Sequence, residues 1–282
     1  MAVTSFIPVL WEAALLKELG TRLVSQYGVN HDYEGLVQLG SSVKINALDD
    51  ISVGDYLPST GVTYQELGTT AQTLNIDTYK AWAFKVDDIA KVQAAGELMT
   101  SAVDKAAAKM AKVLDAANFA AMVSGVYNGN VLGADTSAGA IDVTTSAKAK
   151  QLILDLKEKL DDSDTPDEGR VCYVNAKVEN LLLGDSNLQI STATNESFRT
   201  GYVGRLFGCD IYRTNNMPVG TNASIVIMTH PVGTTEAMQL TETEALRDTT
   251  SFKDLVRGLT VSGRKVIRPK AVAIAYVDTV GS

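Results

Sequence analysis

Apolar positions recur with a helical period at two places in the chain. Residues 7–23 carry a large apolar side chain every three or four positions, with charged residues between them, which predicts an amphipathic helix. Residues 96–123 are rich in alanine and have no internal proline, which predicts a helix roughly 40 Å long. We expect Asp115 on its polar part, and an apolar stripe formed by Met99, Val103, Ala106, Met110, Val113, Ala117 and Ala120.

Alternation of apolar and polar residues predicts strands in two stretches before the long helix. Residues 43–47 and 73–77 both alternate, and Trp82 and Phe84 extend the second pattern. The stretch between them is acidic and rich in turn residues. The pattern predicts an extended hairpin with a polar tip that is either a flexible loop or is ordered by a partner.

Helical and strand patterns alternate in the rest of the chain. Helices are predicted at 147–160 and 176–183, and the strands are predicted at 171–174, 209–212, 223–228, 259–261, 265–267 and 271–277. This order predicts an α+β protein with a mixed sheet.

Composition narrows the classes of function. The chain has 282 residues and a formal net charge of −8, which argues against a protein that binds nucleic acid by neutralising phosphates. Its two cysteines are far apart, so a disulfide framework is not expected. No apolar run approaches the ~20 residues of a membrane-spanning helix, and no signal peptide is evident. We expect a soluble protein with no membrane partner, made in a reducing compartment.

Candidate chemistry is sparse, and we predict no catalytic, cofactor-binding or metal-binding residue. Cys172 lies in a predicted strand, where cysteine is usually a small core residue. The acidic run at 161–168 has Pro166 and Asp167 where a calcium loop needs an oxygen ligand and a glycine, so we expect a solvated helix exit. The glycines at 201, 204 and 208 lack the Lys-Ser/Thr of a phosphate loop and predict tight turns.

Four stretches, by their order and spacing, resemble the major capsid proteins of tailed bacteriophages, which share the HK97-like fold. They span nearly the whole chain. The stretches are Phe6 to Pro8 with Trp11, Asn30, 32–35 and 43–46; 83–89; 204–208 with Asn215, Asn216 and Pro218; and 251–259 with 263–269.

The resemblance implies a division of the chain and a role. Residues 1–30 would be an N-terminal arm and residues 31–82 an extended loop lying over a neighbouring subunit. A peripheral domain with the long spine helix would comprise 83–130 plus 246–282, and a mixed-sheet axial domain would comprise 131–245. Such subunits assemble with copies of themselves, as pentamers and hexamers, into an icosahedral phage head around double-stranded DNA.

The resemblance also implies contacts and partners. Acidic groups of the loop could meet spine lysines of a neighbour, and the terminal helix could dock on its own core or on another subunit. A separate scaffolding protein, a portal and weakly held DNA are the implied partners, with assembly in the bacterial host cytoplasm and a final location in the virion. The candidate contact residues are Phe6, Trp11, Asp49, Asp50, Asp55, Tyr56, Glu66, Lys105, Lys109, Lys112 and Arg268.

Two alternatives stay open from the sequence. The first is an encapsulin-like, non-viral shell of the same fold that encloses a protein cargo. The second is a cysteine-dependent hydrolase that uses Cys172 or His230 in a pocket. An enclosed cargo would identify the first, and a monodisperse monomer with hydrolase activity would identify the second.

Overall fold

A computed structural model describes residues 19, 22–34, 42–48, 53, 64–66, 68–87, 97–136, 138–184, 201–250 and 253–279. These residues contain three longer helices, α1 (Glu97–Gly125), α2 (Ser146–Asp161) and α3 (Ala176–Leu183). The described helices include none that is long and apolar enough to cross a membrane. The described strands are β1 (Ser42–Leu48), β2 (Thr69–Asn75), β3 (Thr78–Asp87), β4 (Val131–Leu132), β5 (Ile141–Asp142), β6 (Val171–Val174), β7 (Tyr202–Leu206), β8 (Cys209–Arg213), β9 (Ser224–Thr229), β10 (Thr234–Arg247), β11 (Lys253–Val266) and β12 (Val272–Asp278).

The mixed sheet holds the larger part of the core. Its strand order is β4-β12-β9-β6-β8-β7, and β5 also pairs with β12. The β6–β8 pair and the pairs that β12 makes with β4 and β5 are parallel, while the other pairs are antiparallel. Alternate residues point to opposite faces, so α2 and α3 cover one face, through Leu152 and Val178, and the end of α1 covers the other, through Phe119.

A second sheet forms a long ribbon along α1. The 14-residue strands β10 and β11 pair in antiparallel fashion, and β3 joins the free edge of β11. Trp82 of β3 packs against Ala107 of the helix. A Cβ atom on Gly258 would lie 2.5 Å from the Trp82 ring, so this close approach requires glycine.

The predicted hairpin is confirmed at its base. Strands β1 and β2 pair in antiparallel register from Ser42↔Asn75 to Leu48↔Thr69. Their apolar side chains pack on Ala237 and Val261 of the ribbon. A Cβ atom on Gly263 would collide with the carbonyl oxygen of Asn75, so backbone lies directly against backbone at this base. Trp82 and Phe84 do not extend the hairpin, because they lie in β3, a separate strand that pairs with β11.

Helix α1 agrees with its predicted length, but its predicted stripe was wrong in part. Met110 is buried as predicted, whereas Val113 is 42% exposed and Ala120 is exposed. The buried face is rotated by about one residue, because it must carry the bulky side chains of Leu114 and Phe119. Asp115, expected on the polar part, lies on this buried face with none of its surface exposed.

The sheets also differ from the predicted strands at two places. Strand β10 was not predicted, because threonine and glutamate occupy positions that are buried in the structure. The two short strands expected at 259–261 and 265–267 are parts of the single strand β11. By sheet membership β10 belongs with β11 and β3, and β12 belongs to the mixed sheet, so the implied division at residues 245 and 246 does not coincide with the sheets.

Leucines on the two sides of α2 test the packing of the mixed sheet. Leu156 is fully buried in the core, whereas Leu154 on the same helix is 38% exposed. We expect Leu156→Ala to lower the free energy of unfolding by about 2–5 kcal/mol, since it removes buried methyl groups and leaves a cavity. Leu154→Ala should cost under about 1 kcal/mol. Denaturant unfolding of both variants measures the difference, and equal losses would contradict this arrangement of the core.

Candidate assembly surface and arm root

The candidate contact residues fall into described and undescribed groups. Glu66, Lys105, Lys109, Lys112 and Arg268 are described, and all five are exposed. Those outside the described residues are Phe6, Trp11, Asp49, Asp50, Asp55 and Tyr56.

The three spine lysines form one row on α1. Lys105, Lys109 and Lys112 are spaced four and three residues apart, so they lie on the same side of the helix. No ion pair joins their ammonium groups to a carboxylate of the described part of the chain. The row is therefore a positively charged strip that faces away from the buried side of α1.

Arg268 belongs to a different place on the surface. The amide of Tyr127, just after α1, donates to the carbonyl of Pro269, so Arg268 lies beside the C-terminal end of the helix. Its own amide donates to the carbonyl of Gly233. The structure thus separates Arg268 from the lysine row, which lies in the first two-thirds of α1.

Residues 22–34, which we call the arm root, connect three parts of the fold. The amide of Ser25 donates to Asp115 of α1 at 2.9 Å, and the hydroxyl of Tyr173 in the mixed sheet donates to the carbonyl of Ser25 at 3.0 Å. The amide of Asn30 donates to the carbonyl of Thr234 at 2.8 Å, and the amide of Glu236 donates to the carbonyl of Asn30 at 3.0 Å. The arm root therefore joins the spine helix, the mixed sheet and the ribbon.

Two buried carboxyl groups lie beneath the arm root. Asp115 accepts hydrogen bonds from the amides of Val24 and Ser25 and, at 3.1 Å, from Nδ2 of Asn216. Asn118 donates from Nδ2 to Oγ of Ser25 at 2.9 Å and to Oε2 of Glu236 at 2.7 Å. Burial raises the pKa of Asp115 and of Glu236, and the donated hydrogen bonds offset only part of that effect.

The sequence analysis missed this polar cluster, although a signal for it exists. Asp115 directly follows Leu114, and Asn118 directly precedes Phe119. Both of these large apolar residues lie on the buried face of α1. A polar residue in register with such a stripe indicates a buried polar contact.

Comparison with known proteins identifies the family. The model of a family described as phage capsid protein matches residues 69–275, which is most of the chain. This chain belongs to the phage capsid protein family. No curated protein matches the sequence.

Solved structures agree with this assignment of the capsid protein. A structure from Mycobacterium phage Che8 is 29% identical, covers 93% of this chain and 92% of its own, and has a TM-score of 0.69. The capsid of Cyanophage P-SCSP1u is 13% identical, with coverages of 89% and 86% and a TM-score of 0.65. The capsid of an empty GTA particle is 16% identical, with coverages of 91% and 90% and a TM-score of 0.59. The two distant likenesses show the fold alone, and the predicted α+β, HK97-like fold class is confirmed.

The two cysteines of the capsid protein are buried, and His230 is held by hydrogen bonds to the backbone. Cys172 and Cys209 are buried free thiols, and burial raises the pKa of both. His230 uses both ring nitrogens: Nε2 donates to the carbonyl of Glu168 at 2.9 Å, and Nδ1 accepts from the amide of Val232 at 3.1 Å. None of the findings favours the hydrolase or the cargo-shell alternative.

The acidic run of the capsid protein is more than a solvated helix exit. Asp161 and Asp167 form ion pairs with Arg170, whose side chain is almost wholly buried. Nε of Arg170 also donates to the carbonyl of Pro166 at 2.9 Å. The guanidinium thus links the end of α2 to the loop that follows it. Within the described ranges, no group of three or more acidic, histidine or cysteine side chains is placed to hold a metal ion.

The Tyr173 hydroxyl tests the attachment of the arm root. It donates to the carbonyl of Ser25 at 3.0 Å, and the Tyr173 side chain is fully buried. We expect Tyr173→Phe to lower the free energy of unfolding by about 1–3 kcal/mol, because the carbonyl of Ser25 loses a buried hydrogen bond. Denaturant unfolding measures the loss.

Tyr212→Phe is the matched control on the neighbouring strand. The Tyr212 ring stacks on Tyr27 at 4.6 Å, but its hydroxyl makes no hydrogen bond to any described residue. This variant should change the free energy of unfolding by under about 0.5 kcal/mol. An equal effect of the two substitutions would contradict the role assigned to the Tyr173 hydroxyl.

Proposed function

We propose that copies of this capsid protein assemble as pentamers and hexamers into an icosahedral phage head that encloses double-stranded DNA. The match of the phage capsid family over residues 69–275 carries this proposal. The likeness to the Che8 structure over 93% of the chain supports it. Its role is structural and non-catalytic, and its place is the virion capsid.

We propose the same division of the chain that the resemblance implies. The arm comprises residues 1–30, the extended loop 31–82, the peripheral domain 83–130 with 246–282, and the axial domain 131–245. The sheets depart from this division at three places: β3 crosses the boundary at 82, β10 crosses the boundary at 245, and β12, which the division counts in the peripheral domain, pairs in the mixed sheet. The proposed domains are therefore interleaved in sequence.

The extended loop is the element best suited to reach another copy. Its base is anchored on the ribbon of its own subunit. Tyr64, in the stretch of chain between β1 and β2, is 92% exposed. We propose that the tip lies on a neighbour and that its acidic groups meet the lysine row of α1.

Further partners follow from the same role. A separate scaffolding protein and a portal guide assembly in the bacterial host cytoplasm. The packaged DNA makes weak, non-specific contacts, because a subunit with a net charge of −8 has little overall attraction for phosphates. Such weak contacts allow the genome to enter and leave.

Electron microscopy of the expressed full chain, alone and with candidate scaffolding proteins, tests the proposed function. Closed shells of regular size are the expected result. A compact monomer at every concentration, with and without a scaffold, would overturn the proposal.

Charge reversal on the spine tests the contact with the loop. The double substitution Lys105→Glu with Lys109→Glu should reduce the yield of shells by tenfold or more. The subunit should stay folded, since both lysines are exposed and take no part in the packing of the core. Each exposed ion pair contributes only about 0.2–1 kcal/mol, but the pairs recur in every copy. Sedimentation separates shells from free subunits, and circular dichroism reports the fold.

Two further variants make this test specific. Lys105→Arg with Lys109→Arg keeps the charges and should assemble normally. Adding Asp49→Lys and Asp50→Lys to the charge-reversed spine should restore part of the yield, because the signs at the contact are exchanged. Normal shells from the charge-reversed spine would refute the proposed contact.

A further inference from the structure

Two short segments form one exposed patch near the C-terminal end of α1. Residues 127–129, which follow the helix, and residues 268–270, which precede β12, are all exposed. The amide of Tyr127 donates to the carbonyl of Pro269 at 3.1 Å, so the two segments lie side by side. We call these six residues the junction patch.

The main chain of the junction patch is held in place by the residues behind it. Asn130 is 3% exposed, and its Nδ2 donates to the carbonyl of Lys270 at 2.8 Å and to that of Val272 at 3.2 Å. The amide of Arg268 donates to the carbonyl of Gly233 at 3.1 Å. Because these backbone groups are already paired, the exposed side chains are carried by a backbone that needs no partner to become ordered.

The ring of Tyr127 has a fixed place in the junction patch although it is 49% exposed. Nζ of Lys270 lies 5.7 Å from the ring centroid. A Cβ atom on Gly129 would lie 2.5 Å from the same ring, so the ring rests on a glycine that leaves room for it. Among the described residues, no buried apolar cluster includes Tyr127. Packing in the core therefore does not account for its position.

The polar side chains of the junction patch all donate hydrogen bonds, and two of them are cations. They are the guanidinium of Arg268, the ammonium of Lys270, the phenol of Tyr127 and the amide of Asn128. Within the described part of the chain, no carboxylate forms an ion pair with Arg268 or Lys270. The patch is thus a local positive surface on a chain whose net charge is −8.

The acidic run after α2 comes close to the back of this patch. Oγ of Ser163 lies 3.5 Å from Nδ2 of Asn130. Asp161 and Asp167 of that run are paired with Arg170. Part of the nearby negative charge is therefore neutralised within its own loop.

We propose that the junction patch binds the phosphate backbone of double-stranded DNA, with Arg268 and Lys270 as its two cationic contacts. Arginine binds phosphate oxygens through a planar pair of N–H donors, lysine binds them as a point charge, and amide and phenol groups add neutral donors. This inference rests on the proposed function for the presence of DNA. It assigns Arg268, a candidate for contact with another copy, to the genome instead.

The composition of the junction patch favours DNA over the surface of another protein. A stable contact between proteins needs well-packed apolar anchors at its centre, and the patch offers one half-exposed aromatic ring among hydrogen-bond donors. Phosphate oxygens are acceptors, which match these donors. Two cations in each subunit give a weak contact without sequence preference, and the contact recurs in every copy.

The lysine row of α1 is a separate positive surface. Lys112, its last member, lies roughly 20 Å along the helix axis from the C-terminal end of α1. This separation exceeds the Debye length at physiological ionic strength. DNA bound at the junction patch therefore does not require the row, and the two surfaces can be tested apart.

Binding of the full chain to short duplex DNA, measured by fluorescence anisotropy over a series of salt concentrations, tests the junction patch. The slope of log K against log salt should fall in magnitude by about 0.9 for each cation removed, so Arg268→Gln with Lys270→Gln should lower it by about 1.8. Tyr127→Phe should weaken binding by about two- to tenfold at fixed salt without changing the slope, because it removes a neutral donor. Circular dichroism reports the fold of each variant.

Two matched controls separate the junction patch from general electrostatics. Lys105→Gln with Lys109→Gln removes the same charge from the lysine row and should lower the slope by less than half as much. Lys148→Gln removes an exposed lysine that is paired with Asp142 and should leave the slope as in the native chain. Duplexes of unrelated sequence should bind with equal affinity, since phosphate contacts carry no sequence information.

Three results would overturn this assignment. They are no binding of the native chain to duplex DNA at low salt, an equal loss of slope from the two double variants, and normal DNA binding by an Arg268 and Lys270 variant that no longer forms shells. The last result would assign the patch to a contact between subunits. A native chain that binds DNA through the patch but never forms shells would refute the proposed function and leave the binding itself standing.

Discussion

A carboxylate buried in the middle of the spine helix constrains the whole subunit. Asp115 has no exposed surface, and the donors that satisfy it come from the arm root and from the loop before β9. An unsatisfied carboxylate in the interior would cost several kcal/mol, so helix, arm root and mixed sheet must come together as one unit. The aromatic contacts of Tyr27 with Tyr212 and of Phe119 with Tyr173 then fill the space beside it.

The two larger sheets serve different physical purposes. The mixed sheet is covered on both faces by apolar side chains. The ribbon of β10, β11 and β3 has the helix and the hairpin base as its main partners, and much of β3 stays exposed. The ribbon therefore leaves more of its surface open to solvent than the mixed sheet does.

The sequence predicts several elements of the mixed sheet well and the buried polar residues poorly. Strand β6 and helix α3 match their predicted bounds because short apolar runs and a periodic face are local signals. Strand β10 and the role of Asp115 escape such signals, because Thr234, Glu236 and Asp115 are polar residues buried by contacts far away in sequence. The acidic loop tip and the first residues of the chain lie outside the described residues, so the contacts expected of them remain predictions.

The glycine at the hairpin base has a consequence for how this chain can diversify. At Gly263 the hairpin rests on the ribbon through main-chain atoms, so its direction is set by the body of the subunit and not by the side chains further out. Insertions or substitutions between β1 and β2 would alter the length and the surface chemistry of the hairpin, but not the place where its base is attached. Related chains could thus differ between β1 and β2 while the attachment of the hairpin to its own ribbon is kept.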